Sequence, residues 1–233
     1  MPKPSAVKPK RAPRLTPNRA PSRTPSRTPR RTQEERRRET RESVLQAAMT
    51  VLIESGYEKF TTTRVADAAG VSRGAQENYF RTKNELIVAA TRYTLARAAD
   101  EARALAARKA RSSDPIAAFL ANSKSFCFSP TYLALMEMVT VSRRNPALAK
   151  VNMPVVREFR DVLDTIWIDA LCEAGYEREG VEAFVKMTHY LLRGMAFAST
   201  WKPPKGEYSA IFKAWHRIGR GGLKRKRSVG RNK

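Results

Sequence analysis

The chain has 233 residues, 42% of them apolar, a formal net charge of +23, and two cysteines, Cys127 and Cys172. That length and apolar content suffice for a sizeable core, whereas no run approaches the roughly 18 uncharged apolar residues of a membrane helix: the longest charge-free run, Ser125 to Met136, is interrupted by Pro130. Two distant cysteines without CxxC or Cys/His clustering suggest neither a disulfide framework nor a zinc site.

The charge sits mainly at the two ends. Residues 1–38 carry 13 Lys or Arg against 2 Glu, and residues 202–233 carry 11 against 1, so a nearly neutral middle is flanked by cationic segments. Such segments suit an acidic polymer, because neutralising phosphates releases counterions; a purely solubilising role, or contact with anionic lipid, is the plainer alternative. Eight of the fourteen prolines fall within the first 29 residues, and 21–32 reads PSRTPSRTPRRT, so 1–33 is expected to be a disordered basic Pro/Arg-rich arm. This start has no apolar core of an export signal, and the expected location is the cytoplasm, in association with the nucleoid.

From Glu34 the composition turns to Glu, Arg, Ala and Leu. Val44, Ala48, Val51 and Leu52 give the spacing of one helical face, predicting a first helix to about Glu54 that stops at Ser55-Gly56. Thr61, Thr62 and Thr63 offer hydroxyl caps to a short second helix with Val65, Ala66 and Ala69, ending at Gly70. Ser72 caps a third helix to about Phe80, and Thr82 with Glu85 has the spacing of a capping box that opens a fourth, to about Lys109. Pro115 stands where a further helix could start, Pro130 and Pro146 punctuate the chain again, and Pro154 opens an amphipathic stretch closed by Gly175. Gly180 to Trp201 forms another apolar face; Ile211, Phe212 and Trp215 form a weaker one, before a disordered basic tail over 219–233. No alternating strand pattern competes, and the fold class is all-α.

Residues 61–80 combine the requirements of a helix-turn-helix. Ala66 is small where the first helix must pack against the second, Gly70 tolerates positive φ in the turn, and Val71 anchors it. The helix after Ser72 is then placed to enter a major groove by its N-terminal end.

The run TTTRVADAAGVSRGAQENYFRTKNEL, Thr61 to Leu86, resembles the N-terminal signature of the TetR (tetracycline repressor) family, as does the Gly56-Tyr57 ending of the helix before it. The resemblance implies a three-helix, homeodomain-like DNA-binding domain over 34–85 and a helical effector-binding and dimerisation domain over 86–218. It implies that Thr62 and Thr63 contact phosphate, that Arg73, Gly74, Ala75 and Asn78 face base edges, and that Tyr79 and Lys83 grip the backbone. Gln76, at a site often apolar in the family, is counted with them. Arg73 suits guanine O6 and N7, with a simple phosphate contact as the equal alternative. Glu77 departs from the family pattern, since a carboxylate near phosphate is unfavourable unless it accepts from cytosine or pairs with an arginine.

The same resemblance implies a homodimer, formed by Pro154 to Ala174 and Gly180 to Trp201, on a palindromic double-stranded operator, with repression the usual outcome. It also implies release by a small-molecule effector. Phe126, Phe128, Tyr132, Met136, Trp167, Met187, His189 and Tyr190 are the candidate lining, suited to a flat hydrophobic molecule; each also fits ordinary core packing, and His189 also reads as a satisfied buried or interface histidine. No cofactor, metal site or catalytic group is expected: His189 and His216 are the only histidines, and Asp161 and Asp164 fall on solvated helix faces. The alternative function is a nonspecific nucleoid-associated DNA-packaging protein that acts through its basic tails.

Overall fold

A computed structural model describes residues 32–226, so all but the last two residues of the expected arm, and the end of the expected tail, lie outside the described residues. The described chain consists of helices α1 (Gln33–Lys59), α2 (Thr62–Ala69), α3 (Arg73–Glu77), α4 (Lys83–Lys109), α5 (Pro115–Cys127), α6 (Pro130–Ser142), α7 (Pro146–Glu173), α8 (Arg178–Ala198) and α9 (Glu207–Gly222), with a 3-10 turn at Ser199–Trp201.

Local chemistry accounts for most of the starts. Thr61, Ser72, Thr82, Asp114, Ser129 and Asn145 each accept a backbone N–H of the following first turn, satisfying donors that have no intrahelical partner. A closed capping box occurs at Thr32 and Glu35. At Thr82 the expected box is only half made: Thr82 Oγ1 accepts from Glu85 N at 3.1 Å, but the Glu85 carboxylate accepts from Arg81 N instead. The first helix bends at Gly56 (φ 70°, ψ 175°) and continues to Lys59, where a full stop was expected.

Two further expectations are corrected. Pro154 does not open a helix; it lies inside the 28-residue α7. An interior proline costs about 3 kcal/mol, and it is tolerated where α7 is held along α4, α6 and α8 and Pro154 itself faces solvent. Nor does an unstructured tail begin at 219. Helix α9 runs to Gly222, and the chain beyond it docks on the end of α7: Glu177 N donates to Lys224 O at 2.9 Å and Lys226 N to Gly175 O at 2.8 Å.

Three apolar clusters organise the molecule. The first joins α1, α2 and the start of α4 to α6 and α7 through Leu45, Leu52, Phe60, Leu86, Met138 and Leu148. The expected boundary at 85/86 thus falls in the first turn of α4, in the middle of a shared core. The second cluster joins α5, the end of α7 and α8 around Phe119, Trp167, Leu171 and Phe184. The third joins the α5–α6 junction to α8, with Tyr208, Ile211 and Phe212 of α9 packed against it.

Helix α9 is locked by Trp215, stacked on Phe184 at 5.3 Å, and by His216, 2.9 Å from Asp114. It approaches closely at Gly219, where a Cβ would meet Phe184 Cζ at 2.6 Å and Ile116 Cγ2 at 3.2 Å. Gly219→Ala is therefore expected to destabilise by about 1 kcal/mol net: overpacking costs about 1–3 kcal/mol, against roughly 1 kcal/mol of gained helix propensity. Thermal denaturation measures it; an unchanged or raised Tm would show that the Phe184 ring yields.

Candidate nucleic-acid interface and internal cavity

The front of the molecule is built by α2, a tight turn and α3. Gly70 closes α2 in the left-handed conformation (φ 67°, ψ 30°), with its N–H bonded to Ala66 and Asp67 carbonyls, and Val71 N donates to Ala66 O at 3.0 Å. A side chain at this position would be strained, so the glycine sets the turn. Ser72 caps α3, which ends at Glu77, three residues short of the expected end, as the Gln76 carbonyl accepts both Tyr79 and Phe80 N–H groups.

Ser72, Arg73, Gly74, Glu77 and Asn78 are exposed together, with Thr63 exposed and Thr62, Ala75 and Tyr79 half-buried. Arg73 Nε lies 2.8 Å from Glu77 Oε1. The carboxylate that departed from the family pattern therefore has its arginine, one turn away, and an exposed pair of this kind holds by only about 0.3–0.5 kcal/mol.

Two of the expected contact residues are used differently. Gln76 is fully buried, and its Nε2 donates to Phe80 O at 2.8 Å, tying down the turn after α3. It is an internal brace, turned inward where it meets the backbone of Phe80, itself part of the first apolar cluster. Lys83 is half-buried: its ammonium donates to Tyr57 O and lies 3.9 Å above the Tyr57 ring. Burial holds its pKa below the ordinary lysine value, with Glu58 acting the other way.

That lysine belongs to a junction between the front and the body that sequence reasoning missed. Tyr57 N donates to Glu137 Oε1 of α6 at 2.8 Å, Asn145 Nδ2 to the Tyr57 hydroxyl at 3.2 Å, and a Cβ at Gly56 would meet the Glu137 carboxylate at 2.9 Å. Gly56-Tyr57 was a visible signal; its partners, some 80 residues away, were not.

Behind the junction lies a cavity of about 710 Å³ bounded by α1, α4, α5, α6, α7 and α8. Of the eight expected lining residues it gathers Phe126, Tyr132, Met136, Trp167 and His189. Phe128 instead packs on Tyr208 and Phe212, and Met187 and Tyr190 face outward on α8. An apolar stripe with residues on several sides of a helix does not declare which side faces in.

The walls are less apolar than expected, because Arg97, Arg157, Arg160 and Arg193 also line the space, with Glu101 as the acid among the lining residues. His189 Nδ1 lies 2.6 Å from Asp164 Oδ1, and its Nε2 lies 3.4 Å from Ser123 Oγ. Asp164 is thus a half-buried partner of the imidazole, not the solvated carboxylate expected. Serine, histidine and aspartate are the types of a hydrolytic triad, but Ser123 sits inside α5, where backbone N–H groups are committed to the helix and none is left to form an oxyanion hole. The arrangement instead fixes the imidazole. Cys127, also in the wall, has its thiol pushed up to about 12 by burial, against the opposing effect of Arg193, and stays protonated.

On the outside of α8 and of the 3-10 turn that follows it, Met187, Tyr190, Phe197 and Trp201 are 51%, 66%, 66% and 65% exposed. Their spacing places them along one face with Gly194.

Comparison with known proteins gives the same picture. The family model described as "Bacterial regulatory proteins, tetR family" matches residues 44–90. The HTH-type transcriptional regulator CymR of Pseudomonas putida is 31% identical over 168 residues, covering 72% of this chain and 83% of the relative. In structure, the chain is similar to a TetR transcription regulator of Haloarcula marismortui (TM-score 0.60, 21% identity, 80% of this chain and 100% of that one). It is also similar to the fatty acid degradation regulator FadR of Bacillus halodurans (TM-score 0.57, 18% identity, 80% and 97%). The packaging alternative finds no support in these relatives.

Proposed function

Since the chain belongs to the TetR family of DNA-binding transcriptional regulators, we propose that it represses transcription as a homodimer bound to a palindromic operator and is released by a small molecule held in the cavity. The observation that carries this reading is that α6 supplies both the cavity wall, through Tyr132, Leu135, Met136 and Val139, and the Glu137 carboxylate that holds the Gly56-Tyr57 bend of the reading head. A ligand that moves α6 must change the seat of the head. Its effect is limited to its differential affinity for the two arrangements.

The exposed face of α8 supports pairing, because four large apolar side chains in one row are unusual on a lone protomer. Two heads on a two-fold axis then read half-sites about one helical turn apart, roughly 34–36 Å. The basic segments at the two ends add sequence-independent affinity. Genome-wide footprinting with purified protein tests the reading: protection of a defined palindrome supports it, and uniform protection with a steep salt slope overturns it.

The junction has its own expected outcome. Glu137→Ala frees the Tyr57 N–H and loosens the head without touching DNA. Operator affinity is expected to fall about threefold to tenfold, within the 0.5–2 kcal/mol typical of residues that couple sites. Fluorescence anisotropy with labelled operator measures it; unchanged affinity would show that the head is seated by apolar packing alone.

A further inference from the structure

The cavity holds more positive charge than its own carboxylates balance. Arg160 has Asp161 at 2.9 Å, but Arg97, Arg157 and Arg193 have no carboxylate within ion-pair distance among the described residues, and Glu101 is the acid among the lining residues. Arg193 is the deepest-set case. It is half-buried on α8, its guanidinium lies 5.8 Å from the centre of the Tyr190 ring, and it sits beside the Tyr132 hydroxyl. Tyr132 is 95% buried, and while the Arg193 guanidinium stands against its oxygen, no acceptor takes the hydroxyl's own proton among the described residues. A buried hydroxyl proton without an acceptor costs about 1–3 kcal/mol, and a half-buried guanidinium without a counter-ion is likewise costly.

Both deficits are removed by one kind of group. A carboxylate accepts two parallel N–H bonds from a guanidinium and a further bond from a phenol. The other two unpaired arginines of the wall, Arg97 and Arg157, are exposed to solvent, whereas Met49, Leu95, Leu135, Phe159 and Trp167 offer apolar surface. We propose that the effector is a monoanionic organic acid, with its carboxylate held between Arg193 and the Tyr132 hydroxyl and an apolar aromatic or acyl body filling the remaining cavity. This adds a carboxylate to the flat hydrophobic molecule expected from the sequence, and it rests on the reading of the cavity as the effector site.

The test uses the full chain, isothermal titration calorimetry, and two matched pairs of probes: octanoate against 1-octanol, and 2-naphthoate against 2-naphthylmethanol. Each acid is expected to bind at least tenfold more tightly than its alcohol. Arg193→Gln and Tyr132→Phe should each weaken the acids, the former at least tenfold, and leave the alcohols unchanged; Tyr132→Phe keeps the ring, Arg193→Gln keeps an uncharged polar side chain in place of the guanidinium, and unaltered thermal melting checks the fold. Equal binding of acid and alcohol, or acids indifferent to Arg193→Gln, overturns the assignment while leaving the cavity as an effector site. Absence of binding by all four probes at millimolar concentration overturns both. Acid binding that depends on Arg193 but leaves operator affinity untouched upholds the ligand class and overturns the release mechanism.

Discussion

Phe197→Asp is expected to dissociate the proposed homodimer and to lower affinity for the proposed palindromic operator at least a hundredfold. In the protomer Phe197 is two-thirds exposed and touches its neighbour Trp201 edge-on, with ring centroids 5.7 Å apart. Its replacement therefore removes little from the protomer itself, whose melting should barely change. In a symmetric interface the same substitution appears twice. Each copy loses an aromatic burial worth about 1.5–3 kcal/mol and introduces a carboxylate whose desolvation costs several kcal/mol more. Two heads tied together bind a two-half-site operator more tightly than one head by about 10²–10⁴, and that gain disappears on dissociation. Sedimentation gives the oligomeric state and anisotropy the affinity. A variant that remains dimeric would place the interface elsewhere than on this face of α8.

Arg73→Ala is expected to weaken operator binding by about 1–3 kcal/mol per reading head and to relax discrimination at one base position in each half-site, if the guanidinium reads a base edge. If it only meets phosphate, binding to all duplexes weakens together and the salt slope falls by about one per head. Arg73 is exposed and its pairing with Glu77 is weak, so the guanidinium is available at little cost. Binding measured on operator and on scrambled duplex at two salt concentrations separates the two cases. Unchanged affinity on both would remove Arg73, and with it the exposed side of α3, from the interface. Glu77→Gln serves as the companion variant, because deleting a carboxylate beside the phosphates should strengthen binding to both duplexes.

The reading head shows how far short-range chemistry reaches. The turn at Gly70 and the cap at Ser72 follow from contacts within four residues, and both stand where the sequence puts them. Gln76 looks equally eligible for the groove, yet its amide is spent on the Phe80 carbonyl, because the rotation of a five-residue helix is set by what it packs against. Tyr190 and His189 are adjacent on α8, one outward and one in the cavity wall. A helix with apolar residues around most of its girth does not reveal its inward side until its neighbours are in place.

By itself, the sequence determined the all-α class, the helix-turn-helix, the caps at Ser72 and Thr82 and the proline-led start of α5, since periodicity, capping and fixed φ act over a single helical turn. Only the tertiary structure decided that Pro154 lies within α7, that Glu137 holds the Gly56 bend, that Asp164 meets His189, and that unpaired arginines line the cavity. The Glu137 and Asp164 contacts join residues 80 and 25 positions apart, brought together by burial of shared apolar faces, and burial carries no address along the chain.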